Sequence, residues 1–593
     1  MFARIYPLLR LPRRFGVFDY QIPEGMHVDI GDMVRIPFHG RTAYGIVAKL
    51  SETTDVLRNI SDVSEVTWKC ALSTGDVTRI EALAASIVQN PSTLLFHTFG
   101  LFGNDTTSPT LVTPPTAPLA LSRAIAATLG DVLALVKPCA NISVATSQEG
   151  GLALAQLLRK KLDGQLLVLV PRERDADIAA RLVALGPRTA VLHGTTKPRQ
   201  RERIIRAWRC GEIDTLIGTR QAALLPARDI SAVLVLTNGT DDHFNARRNP
   251  RLDTRNAAYA QAAQHGAALV TVDVLPRPED VATCESHVWS PFAEPVDMVD
   301  LRNRETSTDH AMLTIPLLDA MKTALQHGKK VLLSYNRKGI AKRAQCRNCS
   351  TIMLCTCGLP YGVDDTGLYC TRCDRKTPVP DACPYCKDGI VGLRGIGNVH
   401  IEKSLAELFP NATVGRVEKG HVDSADILLV TEYFFSSVTV PFAKKEFGVV
   451  ADLAADIGMH PDNFRSGEDT ARKLQRLRWF AHQQGARCIV QSWLPEQMCT
   501  MVDAEMFITA ETAIRERYGL PPKRAVVTVR HADAAALTQL TGEFFATEGD
   551  LAVARVPLTK LFTFSFSLFT LPDTAVITVD SIYDPSRSTP RTE

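Results

Sequence analysis

Eight of the fourteen cysteines fall between Cys346 and Cys386, in four pairs: Cys346/Cys349, Cys355/Cys357, Cys370/Cys373 and Cys383/Cys386. Three pairs read C-x-x-C and one reads C-x-C. A C-x-x-C turn presents two thiolates to one ion, and a second pair completes the tetrahedron that zinc prefers. Eight thiolates therefore predict two closed zinc sites. The residues between the pairs, among them Asp364, Gly367, Pro378, Pro380 and Pro384, are polar or turn-forming and offer too little apolar surface for a core without metal. A redox dithiol of the thioredoxin kind needs one pair on a βαβ unit, not four pairs in a loop. With every coordination position filled by protein, such zinc is structural, a lever or a partner-binding surface rather than a catalyst. The C-x-C pair departs from the usual knuckle and leaves Cys357 open as a ligand.

The chain that positions these thiols has 593 residues, which at roughly 100–200 residues per domain predicts three to five domains. Hydrophobic residues make up 45%, enough for several cores. The 67 basic and 64 acidic residues leave a net charge of +3, which neither demands nor excludes a nucleic-acid partner. No apolar run reaches the length of a transmembrane helix. The opening MFARIYPLLRLPRRFG lacks both a continuous signal-peptide core and a small-residue cleavage site. These features predict a cytoplasmic protein with no membrane partner, whose thiols are reduced or metal-bound.

Residues 28–47 (VDIGDMVRIPFHGRTAYGIV) alternate apolar and polar positions, punctuated by Gly31, Pro37 and Gly40, and predict a small β domain. A helical stretch near Ile80–Val88 follows, and then a Thr/Pro-rich linker from Asp105 to Pro118. Short buried-strand runs come next: Leu166–Val170, Thr215–Thr219, Ala232–Leu236 and Ala267–Val272, separated by Ala- and Leu-rich amphipathic stretches. This alternation predicts a parallel sheet covered by helices on both faces. A second series begins at Ala311, with strands at Val331–Asn336, Ile427–Val430 and Cys488–Val490, and the cysteine cluster interrupts it. Further strand-like runs fill Leu520–Val579, and no repeat period is visible.

The segments YNRKGIAKRAQCRNC, YCTRCDRKTPVPDACPYC and GIGNVHIEKSLAELFP, between Tyr335 and Pro410, resemble the PriA family of bacterial replication-restart proteins (primosomal protein N′). The order, spacing and flanks of the cysteine pairs agree together. Other segments resemble the family in the same order: FDYQIPEG and GDMVRIPFHGR its N-terminal domain, LVLVPRERD, VLHG, RAWRCGEIDTLIGTRQA and NPRLDTRN its first helicase lobe, ADLAADIGMHPDNFRSGEDT its second lobe, and YGLPP the approach to its C-terminal domain. Too little chain lies between the β domain and the first lobe for the family's winged-helix domain.

The resemblance implies a multidomain α/β fold. It places an N-terminal β-rich DNA-binding domain at 1–105, a linker at 106–118 and a RecA-like helicase lobe at 119–310. A second lobe starts at 311–343, is interrupted by a two-zinc cysteine module at 344–390 and continues over 391–515. A small α+β C-terminal domain occupies 516–593. It also implies the zinc pairing: Cys346, Cys349, Cys383 and Cys386 on one ion, Cys355, Cys357, Cys370 and Cys373 on the other.

Both lobes are expected to be degenerate. An ATP-driven helicase cradles phosphate in a Gly-rich loop bearing a lysine and a Ser/Thr. The corresponding stretch, Ser143–Leu158 (SVATSQEGGLALAQLL), has no lysine and carries Glu149. The family's acidic DEEH motif falls on Thr237, Asn238, Gly239 and Thr240, with Asp241 and Asp242 just beyond. The arginine-bearing motif of the second lobe is replaced by Lys473–Gly485 (KLQRLRWFAHQQG), with Arg476 and Arg478 nearby. No catalytic residue is expected, nor ATP as a cofactor.

In the family, the N-terminal domain captures the 3′ end of the nascent leading strand. The resemblance carries this role to Phe18 and Asp19, an aromatic face and a carboxylate suited to a terminal base and hydroxyl, with Gly40 and Arg41 beside them. His39 stands where the family usually has glycine. Arg13, Arg14 and Arg35 join Arg41 as candidate phosphate contacts, set against the ordinary role of solvated surface arginines. The expected function is non-catalytic recognition of stalled forks and nascent 3′ ends, with forked and single-stranded DNA, other primosome proteins and the replicative helicase or its loader as partners, in the nucleoid-associated cytoplasm. An active 3′–5′ helicase with a non-standard nucleotide site and a zinc scaffold for proteins alone are the competing readings.

Overall fold

The computed structural model describes residues 1–56, 60–100, 107–113, 123–183, 185–244, 249–289, 295–308, 310, 312–335, 343–346, 348, 352–356, 360–364, 367–370, 375–387, 389–394, 398–417, 424–431, 434–435, 445–459, 463–531, 544–548 and 550–582. The chain divides into two compact units, one of Met1–Ser290 with Thr512–Glu593, the other of Pro291–Glu511. None of the helices among the described residues is long and apolar enough to cross a membrane.

The first unit opens with a five-stranded antiparallel sheet in the order Phe18–Gln21, Phe2–Pro7, Arg41–Ser51, Met33–Phe38, Glu65–Trp68. The alternation over 28–47 becomes a hairpin in which Phe38 faces Arg41 across a two-residue turn. His39 (φ 48°) and Gly40 (φ 74°) both take the left-handed conformation that matches the twist of paired strands. The predicted helix runs over Thr74–Ser86, started by a reciprocal capping box between Ser73 and Asp76. A second helix, Pro91–Phe99, starts with Asn90 as its cap and proline in its first turn.

These helices do not close a separate core. Tyr6, Met33 and Ile46 of the sheet and Ile80 and Leu83 of the first helix share one apolar cluster with Ile205, Trp208 and Leu224 further along the chain. The latter lie on the helical stretches Pro198–Cys210 and Ala222–Leu224, and the same cluster takes in Leu167, Leu216 and Val233 of a seven-stranded parallel sheet in the order Ser286–Trp289, Asn141–Ala145, Ala268–Asp273, Ile230–Leu236, Gln165–Leu169, Thr215–Gly218, Thr189–Leu192. Part of the linker lies against this sheet's edge, where Thr110 and the Gln200 side chain exchange hydrogen bonds and the Val112 amide donates to the Thr189 carbonyl.

The unit ends in a four-stranded antiparallel sheet ordered Phe544–Glu548, Leu551–Pro557, Arg524–Arg530, Val576–Asp580, with helix Leu558–Leu568. Val88 packs into the core of this sheet.

The second unit holds a six-stranded parallel sheet in the order Asp297–Asp300, Arg487–Ser492, Phe447–Asp452, Lys330–Ser334, Ile427–Val430, Val414–Arg416. Asp297–Asp300 pairs with Arg487–Ser492, so the second lobe takes in this strand and begins before it, not at residue 311. The strand is short and polar at both ends, which hid it from a search for apolar runs. Between Lys330–Ser334 and Ile427–Val430 the chain builds a small antiparallel sheet, ordered Lys376–Thr377, Gly367–Tyr369, Gly362–Asp364, Arg343–Cys346, Val391–Arg394, which carries the cysteines.

Candidate functional site

Cys346 closes the strand Arg343–Cys346, and Cys383 and Cys386 sit on the turn that precedes Val391–Arg394. Antiparallel pairing of these two strands, Cys346 opposite Val391, draws the distant cysteines together. The three sulfurs lie within 4.8 Å of one another. The Sγ atoms of Cys346 and Cys386 are 3.6 Å apart. A disulfide would place sulfurs about 2.05 Å apart. Tetrahedral ligands on metal–sulfur bonds of about 2.3 Å lie roughly 3.8 Å apart. The observed spacing is therefore that of ligands around an ion.

Local backbone supports the same reading. The amide of Asn348 donates to Cys346 Sγ at 3.3 Å and that of Tyr385 to Cys383 Sγ at 3.4 Å. Gly389 passes so close that a Cβ there would stand 2.2 Å from Cys346 Sγ and 3.0 Å from Cys386 Sγ. The Gly389 carbonyl accepts from the Cys383 amide at 2.6 Å. Cys355 and Cys370 are also buried in the small sheet's core, and the Tyr361 hydroxyl donates to Cys355. Cys349, Cys357 and Cys373 lie outside the described residues. An all-sulfur donor set at ligand spacing, with amides aimed at the sulfurs, fits a thiophilic metal ion.

The nucleic-acid candidates sit at one end of the N-terminal sheet. Phe18 occupies the edge strand and stacks edge-on against Phe38, with ring centroids 5.1 Å apart. Phe38 in turn meets His39 at 4.7 Å, and Phe15 lies 6.4 Å from Phe18. Besides Phe18, which the sequence points to, Phe15, 45% exposed, and Phe38 complete an aromatic group around the hairpin turn. Phe18 and Phe38 stand on strands separated by two others in the sheet, so no local signal in the sequence links them. Asp19 accepts from the Thr54 hydroxyl and pairs with Arg4 Nε at 3.6 Å. Gly40 and Arg41 are exposed at the turn, as is Arg14 nearby. Arg35 is ion-paired to Glu65 at 2.8 Å.

Arg13 is not a phosphate contact. It is 8% exposed, its Nη2 donates to the carbonyls of Asp573 and Ala575, and its amide donates to the Asp573 carboxylate. It ties the opening segment to the antiparallel sheet of residues 512–593. A buried guanidinium held by carbonyls is committed to structure.

At the nucleotide position, only Thr146 and Ser147 separate strand Asn141–Ala145 from helix Gln148–Lys161. Ser147 caps the helix by accepting from the Gly150 amide. A Cβ on Gly150 would stand 2.5 Å from Thr146 Oγ1, so the threonine fills the space beside the helix start. Glu149 adds negative charge to the first turn. The acidic motif's positions follow strand Ile230–Leu236: Asn238 is buried and donates to Asp280, and the Gly239 amide donates to Asp273. Asp242 is taken up by Arg172 at 2.6 Å. In the second unit, Lys473 pairs with Asp452 at 2.5 Å, and Arg478 donates to the Val502 carbonyl at 2.6 Å. Arg476 is buried as well.

Residues 8–97 match a family model described as the 3′DNA-binding domain (3′BD). Residues 151–224 match one described as the helicase conserved C-terminal domain. That second match falls on the first parallel sheet, where the strand–helix repeat common to such lobes runs from Gln165 to Gly218. The replication restart protein PriA of Bacillus subtilis (strain 168) is 24% identical over 386 residues, 59% of this chain and 47% of the relative. Its counterpart in Thermotoga maritima is 27% identical over 349 residues, 54% of this chain and 46% of the relative. That in Rickettsia conorii is 22% identical over 576 residues, 88% of this chain and 84% of the relative. Against the first two, the chain spans about half of the relative's length. With the 3′DNA-binding domain at one end, two α/β lobes behind it and the cysteine sheet set into the second, this chain is a relative of the replication restart protein PriA.

Proposed function

We propose that this chain recognises stalled replication forks by the 3′ end of the nascent strand and promotes loading of the replicative helicase, without hydrolysing ATP. The match of residues 8–97 to a 3′DNA-binding domain carries the reading. The aromatic group of Phe15, Phe18 and Phe38 offers faces for bases, and Asp19 offers a carboxylate for a terminal hydroxyl. The closed turn at Thr146–Ser147 supports the absence of an engine. In this reading two zinc ions hold the cysteine sheet, Cys346, Cys349, Cys383 and Cys386 on one and Cys355, Cys357, Cys370 and Cys373 on the other. The protein works in the nucleoid-associated cytoplasm with other primosome proteins.

The test compares binding to a model fork with a leading-strand 3′-hydroxyl against the same fork with a 3′-phosphate, for wild type, Phe18→Ala and Asp19→Ala. We expect wild type to prefer the free hydroxyl, Asp19→Ala to lose that preference, and Phe18→Ala to bind both forks about tenfold more weakly, the order of one lost base stack. Equal binding to both ends by wild type would remove 3′-end capture. ATP turnover on fork DNA above background would replace this reading with that of an active helicase.

A further inference from the structure

We propose that Thr54 is a positioning residue of the 3′-end site: its hydroxyl fixes the Asp19 carboxylate in the orientation that accepts a terminal hydroxyl rather than a terminal phosphate. The inference rests on the proposed 3′-end reading and assigns the discrimination within it to a group that does not itself touch the strand.

Thr54 reaches Asp19 from 35 residues further along the chain. The backbone that delivers it is shaped by its own hydroxyls as it leaves strand Arg41–Ser51. Ser51 Oγ donates to the Thr53 carbonyl at 2.7 Å and accepts from the Thr53 amide at 3.3 Å. Thr54 Oγ1 in turn accepts from the Val56 amide at 3.1 Å. Side chains that bond the backbone two residues on hold a turn of this kind. A hydroxyl has one proton to give. With the Val56 amide on its oxygen, Thr54 gives that proton to Asp19 Oδ2. The hydroxyl therefore has a fixed direction, set by residues that lie beyond the strand.

The other carboxylate oxygen faces the neighbouring strand. Arg4 stands directly across from Asp19 in one pairing and from Lys49 in the other. Opposed side chains share one face of a sheet, and like charges repel there. Lys49 therefore favours the arginine on the Asp19 side, where its Nε lies 3.6 Å from Asp19 Oδ1. The register shifts between Arg4 and Ile5, so that Ala48 is the extra residue of a bulge. Bulges re-aim the side chains beside them. At 3.6 Å the guanidinium acts as a neighbouring charge and does not occupy a lone pair of Oδ1. An ionised carboxylate offers about four acceptor positions. Thr54 takes one on Oδ2 and leaves Oδ1 to accept the proton of a sugar hydroxyl. A 3′-phosphate brings negative charge to the same place. The Asp19 side chain is 9% exposed, so a ligand must meet the carboxylate where it is held.

The full-length protein, Thr54→Val, Thr54→Ser and Asp19→Ala are titrated by anisotropy against forks ending in a 3′-hydroxyl and in a 3′-phosphate, with a thermal midpoint taken on each preparation. Thr54→Val keeps the shape of the side chain and removes the proton. It should lower the ratio of hydroxyl to phosphate affinity about tenfold, the order of one hydrogen bond to a charged group, by weakening the hydroxyl fork alone. Thr54→Ser, which keeps the hydroxyl, should restore the ratio. Retention of the preference by Thr54→Val, when Asp19→Ala has lost it, overturns the positioning role and leaves 3′-end capture standing. Equal weakening of both forks by Thr54→Val overturns it as well, since that marks a structural role only. A wild type that binds both ends alike removes 3′-end capture and this inference with it.

Discussion

Gly389 governs the cysteine centre from a position that carries no side chain. A methyl group there would overlap Cys346 Sγ and crowd Cys386 Sγ. Gly389→Ala is therefore expected to lower bound metal by about one ion per chain, with a loss comparable to that of Cys346→Ser, as measured by elemental analysis of the purified protein. Metal binding energy is folding energy in sheets this small, so a chelator should melt the cysteine sheet and lower the thermal midpoint. The cysteine pairs were legible because metal-ligand chemistry fixes residue type and spacing together. Gly389 was not, since nothing local distinguishes it from the chain's other glycines. Arg13 misled for a related reason: an arginine in LPRRFG reads as surface basicity, and only the return of Asp573 and Ala575 from the far end of the chain makes it structural. Arg13→Ala should cost about 1–3 kcal/mol of stability and leave the affinity for fork DNA unchanged, as read from urea midpoints and a binding titration on one preparation.

Between single residues and the whole chain lies the turn before helix Gln148–Lys161. Two residues cannot cradle a triphosphate, whatever their identity. Glu149→Lys is accordingly expected to give no ATP turnover on fork DNA and no binding of a fluorescent ATP analogue. A recovered activity would mean that charge, rather than backbone, had closed the site. The missing lysine was legible in the sequence; the short turn of Thr146–Ser147 between strand and helix was not. Apolar runs such as Leu166–Val170 and Ala232–Leu236 identified the central strands because both faces are buried. The strands Asp297–Asp300 and Ser286–Trp289 carry polar residues at sheet edges, where one side meets solvent, and escaped for that reason. The hairpin between Phe38 and Arg41 was half legible: alternation gave the strands, while the left-handed pair His39–Gly40 that sets their register emerges only from backbone angles.

At the scale of the molecule, one apolar cluster of the first unit runs from Tyr6 to Leu269, so the N-terminal sheet and the first parallel sheet share a core. The unit's response to acid turns largely on histidines that burial keeps neutral, with His265 and His287 shifted down as well as the two strongest cases. His97 and His243 are held down to about 4, in both cases chiefly by burial. Free imidazole titrates near 6.5. The unfolded chain therefore takes up protons that the folded chain refuses, and stability falls as pH drops from about 6.5 towards 4. Asp280, pushed up to about 6 by burial, opposes this below pH 6, because its charged form is the costly one in the fold. The lowered histidines His97, His243, His265 and His287 outnumber the raised carboxyls Asp280 and Glu81, and the lowered Asp76 and Asp253 pull the same way as the histidines, so the urea midpoint should decline between about pH 7.5 and pH 5, and His243→Gln should flatten that decline.

Val88 has a consequence for synthesis. It belongs to the N-terminal hundred residues of the chain, yet its apolar neighbours Ala525, Val527 and Ile577 are made near the end. At the usual 5–20 residues per second, the ribosome needs roughly 20–90 s to reach them. Throughout that interval the nascent N-terminal helices present an unfilled socket, and Arg13 waits for the carbonyls that will hold it. A message cut short before codon 525 therefore injures the domain translated first, although that domain's own sequence is intact.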